Sequence, residues 1–134
     1  LARKSDDIDI NRFALGAMLP GSVLRQLYVQ GSLKSGPDGA EFKLKNMLAP
    51  ATITDLKISV DGAAVPKDKI EVVTSSGRYP AAQLEQQGYK FSVRDEVTVV
   101  LKGLTLGSGP HKIEIKAKTR EWGELSFDVT DVPR

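Results

Sequence analysis

From residue 27 onward, polar and apolar residues alternate with a period of two. Segments 41–45, 56–60, 112–118 and 125–129 all show it, as strands with one wet and one dry face should. Segment 96–101 is denser in β-branched residues and predicts a more deeply buried strand. Turn chemistry separates these runs. Ser35-Gly36-Pro37-Asp38-Gly39 divides the first two, and Gly107-Ser108-Gly109-Pro110 introduces a later one. Asp61-Gly62 is the pair favoured by two-residue type I′ hairpins, where both central residues need positive φ. One stretch departs from the pattern: residues 79–87 carry Pro80 near the start, good helix formers, and Gly88 after the end. It predicts a short helix or helical turn bridging two sheets. Short strands between turns predict an all-β fold, a mostly antiparallel β-sandwich.

Residues 1–26 differ from the rest. Polar caps at Ser5-Asp6-Asp7 and breakers at Gly16, Pro20 and Gly21 leave room for little more than a helical turn. The division is an N-terminal arm, 1–26, ahead of a sandwich domain, 27–134. Phe13, Leu15, Met18 and Leu19 give the arm an apolar side that needs a surface to pack on. That surface is either another chain or the arm's own sandwich. Loop 46–52 is also apolar for a connection, and Pro50 keeps it out of a ladder. Asn46, Met47, Leu48 and Pro50 therefore join the four arm residues as candidates for a partner interface.

Composition narrows the function classes. The 134 residues make one domain, with 40% hydrophobic and 27% charged residues, a globular balance. The chain has no cysteine, which excludes disulfides and thiolate metal sites. No apolar run reaches the roughly 18–20 residues that span a bilayer. The opening Leu1-Ala2-Arg3-Lys4 has no apolar segment behind it, unlike an intact signal peptide. The expectation is a cytoplasmic protein without a membrane role. Nineteen basic against 17 acidic residues leave a net charge of +2. Lys43, Lys45, Lys57, Lys112, Lys116 and Lys118 alternate with apolar residues, and only Phe42 interleaves an aromatic. No nucleic-acid surface is expected.

Catalytic chemistry is sparse. The single histidine, His111, cannot build a multi-histidine metal site. It reads first as a hydrogen-bonded structural residue, and second as one that reaches a partner's site. The many carboxylates fall at turns and outward strand positions. Thr74-Ser75-Ser76 lacks a surrounding G-x-S-x-G, and Gly107-x-Gly109 does not open a helix as a dinucleotide loop would. No catalytic, cofactor-binding or metal-binding residue is assigned. Trp122, in the turn Arg120-Glu121-Trp122-Gly123, either caps the core or anchors an interface, and Arg120 shares the second role.

Several ordered pieces resemble one family. They are Gly31-Ser32-Leu33, Gly39-Ala40-Glu41-Phe42-Lys43-Leu44, Ile58-Ser59-Val60-Asp61-Gly62-Ala63-Ala64-Val65-Pro66 and Ile70-Glu71-Val72. Gln83-Leu84-Glu85, Asp95-Glu96-Val97-Thr98-Val99, Gly103-Leu104, Gly107 and Gly109-Pro110-His111-Lys112-Ile113 follow. Across residues 28–118 the chain is similar to the β subunits of bacterial C-glycoside deglycosidases. It departs at 46–52, where the family carries an aromatic, arginine-containing loop, and in its longer arm. The resemblance implies a non-catalytic β subunit of a heteromeric carbon–carbon lyase. Its partner would be a TIM-barrel α subunit with a divalent metal, Mn or Mg, and the acid/base residues. The pair would cleave the bond between an oxidised sugar and an aromatic aglycone in 3-oxo-C-glycosides. The substrate would be held mainly by the partner. Two other readings remain: a stand-alone binding module for carbohydrate or protein, stacking sugars on Trp122, Tyr28, Tyr79 or Tyr89, and an independent enzyme with an unrecognised carboxylate site.

Overall fold

A computed structural model describes residues 20–134. Most of the arm, with Phe13, Leu15, Met18 and Leu19, lies outside the described residues. The strands in chain order are β1 (Lys34–Gly36), β2 (Gly39–Lys45), β3 (Ala51–Val60), β4 (Ala63–Ala64), β5 (Ile70–Thr74), β6 (Gly77–Pro80), β7 (Tyr89–Phe91), β8 (Glu96–Lys102), β9 (His111–Thr119) and β10 (Gly123–Asp131). They form two antiparallel sheets, ordered β1-β2-β8-β5-β6 and β10-β9-β3-β4, with β7 paired to the start of β3. This is the predicted sandwich.

Alternation decides which face each strand buries. In β2 the side chains of Ala40, Phe42 and Leu44 are buried, while Glu41, Lys43 and Lys45 point outward. Ile113 and Ile115 of β9 and Leu125, Phe127 and Val129 of β10 complete the opposite wall. Strand β8 differs from its expectation of deeper burial. It sits mid-sheet between β2 and β5, yet only Val97, Val99 and Leu101 face the core. Its extra β-branched residues cover the outer face. Asp61 and Gly62 have φ of 52° and 85° between the paired residues Val60 and Ala63, the expected two-residue hairpin.

Among the described residues, two α-helices accompany the sheets: α1 (Gly21–Leu24), continued by a 3-10 turn (Arg25–Leu27), and α2 (Ala81–Gln87). Helix α2 buries Ala81 and Leu84, ends at Gly88 with φ of 68°, and contacts β3 of one sheet and β5 and β6 of the other. It bridges the sheets as its sequence predicts. Helix α1 is the described end of the arm. Leu24 and Tyr28, four residues apart and so on one side of a helical turn, are 1% and 5% exposed. The turn is pinned to β10, where the Arg25 guanidinium donates to the Asp128 carbonyl at 2.8 Å. Packing on the sandwich therefore begins at α1, ahead of residue 27. Loop 46–52 is shorter than read from the sequence, because Ala51 and Thr52 pair with Phe91 and Lys90 in the ladder.

Candidate functional site

Three connections meet at one end of the sandwich: residues 46–50 between β2 and β3, 92–95 between β7 and β8, and 120–122 between β9 and β10. Asn46 knits the first two together. Its amide donates to the carbonyls of Ala49 (2.7 Å) and Phe91 (2.8 Å), and its side-chain oxygen accepts from the N–H groups of Leu48 (3.1 Å) and Ala49 (3.3 Å). Its backbone bonds the second loop, donating to the Asp95 carbonyl and accepting from Arg94 N–H at 2.6 Å. Asn46 is 2% exposed, so this interface candidate spends its polar groups inside its own chain. The loop it shapes turns Leu48 against the core and leaves Met47 53% exposed. Arg94 has φ of 78°, a conformation that costs a non-glycine residue about 1 kcal/mol or more. Its neighbour Val93 is 43% exposed. Met47, Val93 and Arg94 thus crown this end, on backbone fixed by Asn46.

The third connection is pinned as firmly. Thr119 Oγ1 accepts from Trp122 N–H and donates to the Gly123 carbonyl, both at 2.9 Å. Glu121 grips the start of β3 with both oxygens, accepting from Thr52 N–H and Thr52 Oγ1 at 2.7 Å each. Burial would raise the Glu121 pKa, but the two bonds from Thr52, together with its own backbone N–H and the Arg120 charge, outweigh it and hold the carboxyl below its ordinary range. The Trp122 indole N–H donates to the Pro50 carbonyl at 3.0 Å, and the half-buried ring packs against the core. The Arg120 guanidinium lies over Gly88, at the C-terminus of α2.

Beneath these loops the sheets part around a cavity of about 400 Å³, with Leu27, Leu44, Met47, Phe91, Trp122 and Phe127 in its wall. Its size suits a small molecule, but such sites usually also hold a few placed polar groups. The polar groups of Asn46 and Trp122 here are already bonded within the chain. Among the described residues, no buried side-chain nitrogen or oxygen lacks a hydrogen-bond partner.

His111 stands apart from this end. It opens β9, whose other end leads to Trp122, and eight strand steps separate the two ends by roughly 25 Å. Its Nδ1 is 2.6 Å from Asp61 Oδ2 and its Nε2 is 2.7 Å from the Gly107 carbonyl. Both ring nitrogens face acceptors, so the protonated ring satisfies both. Asp61 first, and then the Gly107 carbonyl, raise the His111 pKa above its ordinary value. Of the described candidates, Met47, Leu48, Pro50 and Trp122 share one end with Asn46, Arg120 lies on the same set of loops with its guanidinium over Gly88, and His111 lies elsewhere. Val23, Leu24 and Leu27, which also line the cavity, were missed by the sequence reading. Their near-helical spacing was the available signal.

Among the described residues no three of His, Cys, Asp and Glu converge to hold a metal ion, and no helix is long and apolar enough to cross a membrane. Of the aromatics considered for sugar stacking, Tyr28 is buried, Tyr79 and Tyr89 pack on one another with ring centroids 6.3 Å apart, and Trp122 is half-buried.

Comparison with known proteins gives two descriptions of this domain. A family model described as "Hydroxymethylglutaryl-CoA reductase, N-terminal domain" matches residues 23–133. The "3'-dehydrocarminate deglycosidase beta subunit" of Microbacterium sp is 30% identical over 101 residues, covering 71% of this chain and 76% of the relative. The names refer to different activities. The first describes one domain of a reductase, whereas the second names a subunit most of whose length this chain covers, so it bears more directly on this chain. The chain belongs to the family covered by that domain description and, through its relative, to the C-glycoside deglycosidase β subunits.

Proposed function

We propose that this protein is the accessory β subunit of a C-glycoside deglycosidase, and that it docks on a catalytic α subunit through the end crowned by Met47, Val93 and Arg94. The likeness to a deglycosidase β subunit carries the reading. The exposed apolar side chains and the strained Arg94 backbone at one rigid end support it, since such strain persists where a surface must be presented in one shape. The α partner is a TIM barrel whose divalent metal, Mn or Mg, and acid/base residues cleave the sugar–aglycone carbon–carbon bond of a 3-oxo-C-glycoside. Barrel active sites lie among the loops at one face. A rigid sandwich end pressed on those loops orders them and excludes water from the reacting centre. In this reading the chain contributes no group to the bond cleavage.

Co-expression with the barrel protein tests it. The pair should co-purify and act on a 3-oxo-C-glycoside, while this chain alone should not. Met47→Ser should weaken assembly at least tenfold with little change in the Tm of the isolated chain, because Met47 is largely solvated there. Turnover by this chain without a partner would remove the accessory reading. Unchanged assembly of Met47→Ser would move the docking surface elsewhere.

A further inference from the structure

We infer that the cavity between the sheets is a binding site for a single-headed amphiphile, a medium-length acyl chain that enters past Met47 and leaves its polar end there. Protein interiors seldom part by more than the size of a water molecule. A space of about 400 Å³ instead falls in the range of small-molecule sites. Its wall selects the chemistry of the ligand. Leu44, Phe91, Val99, Ile115, Leu125 and Phe127 present only hydrocarbon and aromatic surface to it. The polar groups of Asn46 and Trp122 are bonded within the chain. Nothing there orients a polar molecule or steadies a cluster of waters, which need several polar partners each. A hydrocarbon chain meets the requirement.

Exposure gives the cavity a direction. Met47, 53% exposed, and the half-buried Leu48, Ala49 and Trp122 stand at its loop end. Val99 and Ile115, 0% and 1% exposed, lie at its inner end. From Trp122 to Phe127 the wall follows five residues of extended chain, or roughly 17 Å. That depth exceeds the roughly 10 Å between stacked sheets, so the space favours an extended chain over a compact ring. A polar group carried to the inner end would be desolvated beside Val99 and Ile115 with no partner, at a large cost. The ligand therefore has one polar end only, and that end stays at the mouth. The inference goes beyond the subunit reading and does not depend on it, because it concerns this chain by itself.

Trp122 is the chain's one tryptophan and stands in the wall, so its fluorescence reports on this cavity. Titrating the full chain with decanol or decanoate, each below its solubility and micelle limits, should shift the emission to the blue and saturate at one molecule per chain. Decanedioate, which has a carboxylate at both ends, should bind at least tenfold more weakly. Ala117 is half-buried in the wall, and Ala117→Phe should occupy the space, keep the Tm and weaken decanol binding at least tenfold. Met47→Glu changes only a largely solvated side chain, so it keeps the test open should Ala117→Phe fail to fold. It should weaken decanoate severalfold through repulsion at the mouth and leave decanol unchanged. No saturable shift with either decanol or decanoate would overturn the inference. Equal binding of decanedioate would overturn it, because the inner end would then accept a charge. Unchanged decanol binding in a folded Ala117→Phe, or equal effects of Met47→Glu on the two ligands, would also overturn it and place the amphiphile elsewhere on the surface.

Discussion

Tyr28 and Asp131, 103 residues apart, are joined by a 2.7 Å hydrogen bond from the phenol to Oδ2. The same oxygen accepts from Gly31 N–H (2.9 Å) and Leu33 N–H (3.3 Å), and Oδ1 accepts from Val132 N–H at 2.8 Å. Burial alone would raise the Asp131 pKa, but these donors outweigh it and hold it below 3.8. The stabilisation is thus complete above pH 3.8 and is lost as pH falls through the lower folded value. The urea midpoint should fall on acidification below about pH 4, and less steeply in Asp131→Asn. At neutral pH, Tyr28→Phe should cost about 1–2 kcal/mol. An identical acid profile in Asp131→Asn would assign the transition to other carboxylates.

Glu121 links the β9–β10 turn to the first residues of β3 by accepting from Thr52 N–H and Thr52 Oγ1. Glu121→Ala takes this acceptor away from the partly buried Thr52 N–H, a loss of about 1–3 kcal/mol. Emission of Trp122, next along the turn, should move to the red. Chemical denaturation followed by tryptophan fluorescence reads both effects at once.

His111 titrates in the opposite direction from Asp131. Its pKa is raised from 6.5 by Asp61 and the Gly107 carbonyl. Its contribution is therefore complete below pH 6.5 and is lost as pH rises through the higher folded value. The Tm should be lower at pH 9 than at pH 6, and Asp61→Asn should shrink that difference. Thermal scans at the two pH values check it.

Two glycines separate backbone strain from crowding. Gly62 has φ of 85°, and a Cβ there would meet no atom within 4 Å. Gly62→Val should therefore cost about 1 kcal/mol or more, through the turn conformation alone. At Gly39 a Cβ would run into the Leu101 carbonyl oxygen and approach Gly103 N to 2.8 Å. Gly39→Ala should lower the Tm further than Gly62→Val, despite the smaller side chain.

Much of this fold is legible in the sequence because a half-buried strand alternates residue by residue. The periodic segments 41–45, 56–60, 112–118 and 125–129 all fall within strands, and Asp61-Gly62 announces its own turn. The short strands β4, β6 and β7 carry too few residues to show a period, and they pair only because longer neighbours present an edge. The candidate site was harder to read. Asn46 looks like a loop residue available to a partner, yet its bonds to Phe91, Arg94 and Asp95 reach chain positions that only the fold brings beside it. Leu24 and Tyr28 carry a helical spacing too short to stand out among the breakers around Pro20.

The bond between Tyr28 and Asp131 has a kinetic consequence. The first packed turn and the last strand close on each other, and Arg134 N–H also donates to the Leu33 carbonyl at 2.9 Å. Almost the whole domain therefore forms a single loop between its earliest and latest contacts. Contacts of such high sequence separation slow folding, because chain entropy is lost before those contacts reward it. On the ribosome, the nascent chain cannot seal its core until residue 131 has emerged. Until then the inner faces of β2 and β9 stay open to whatever meets the growing chain first.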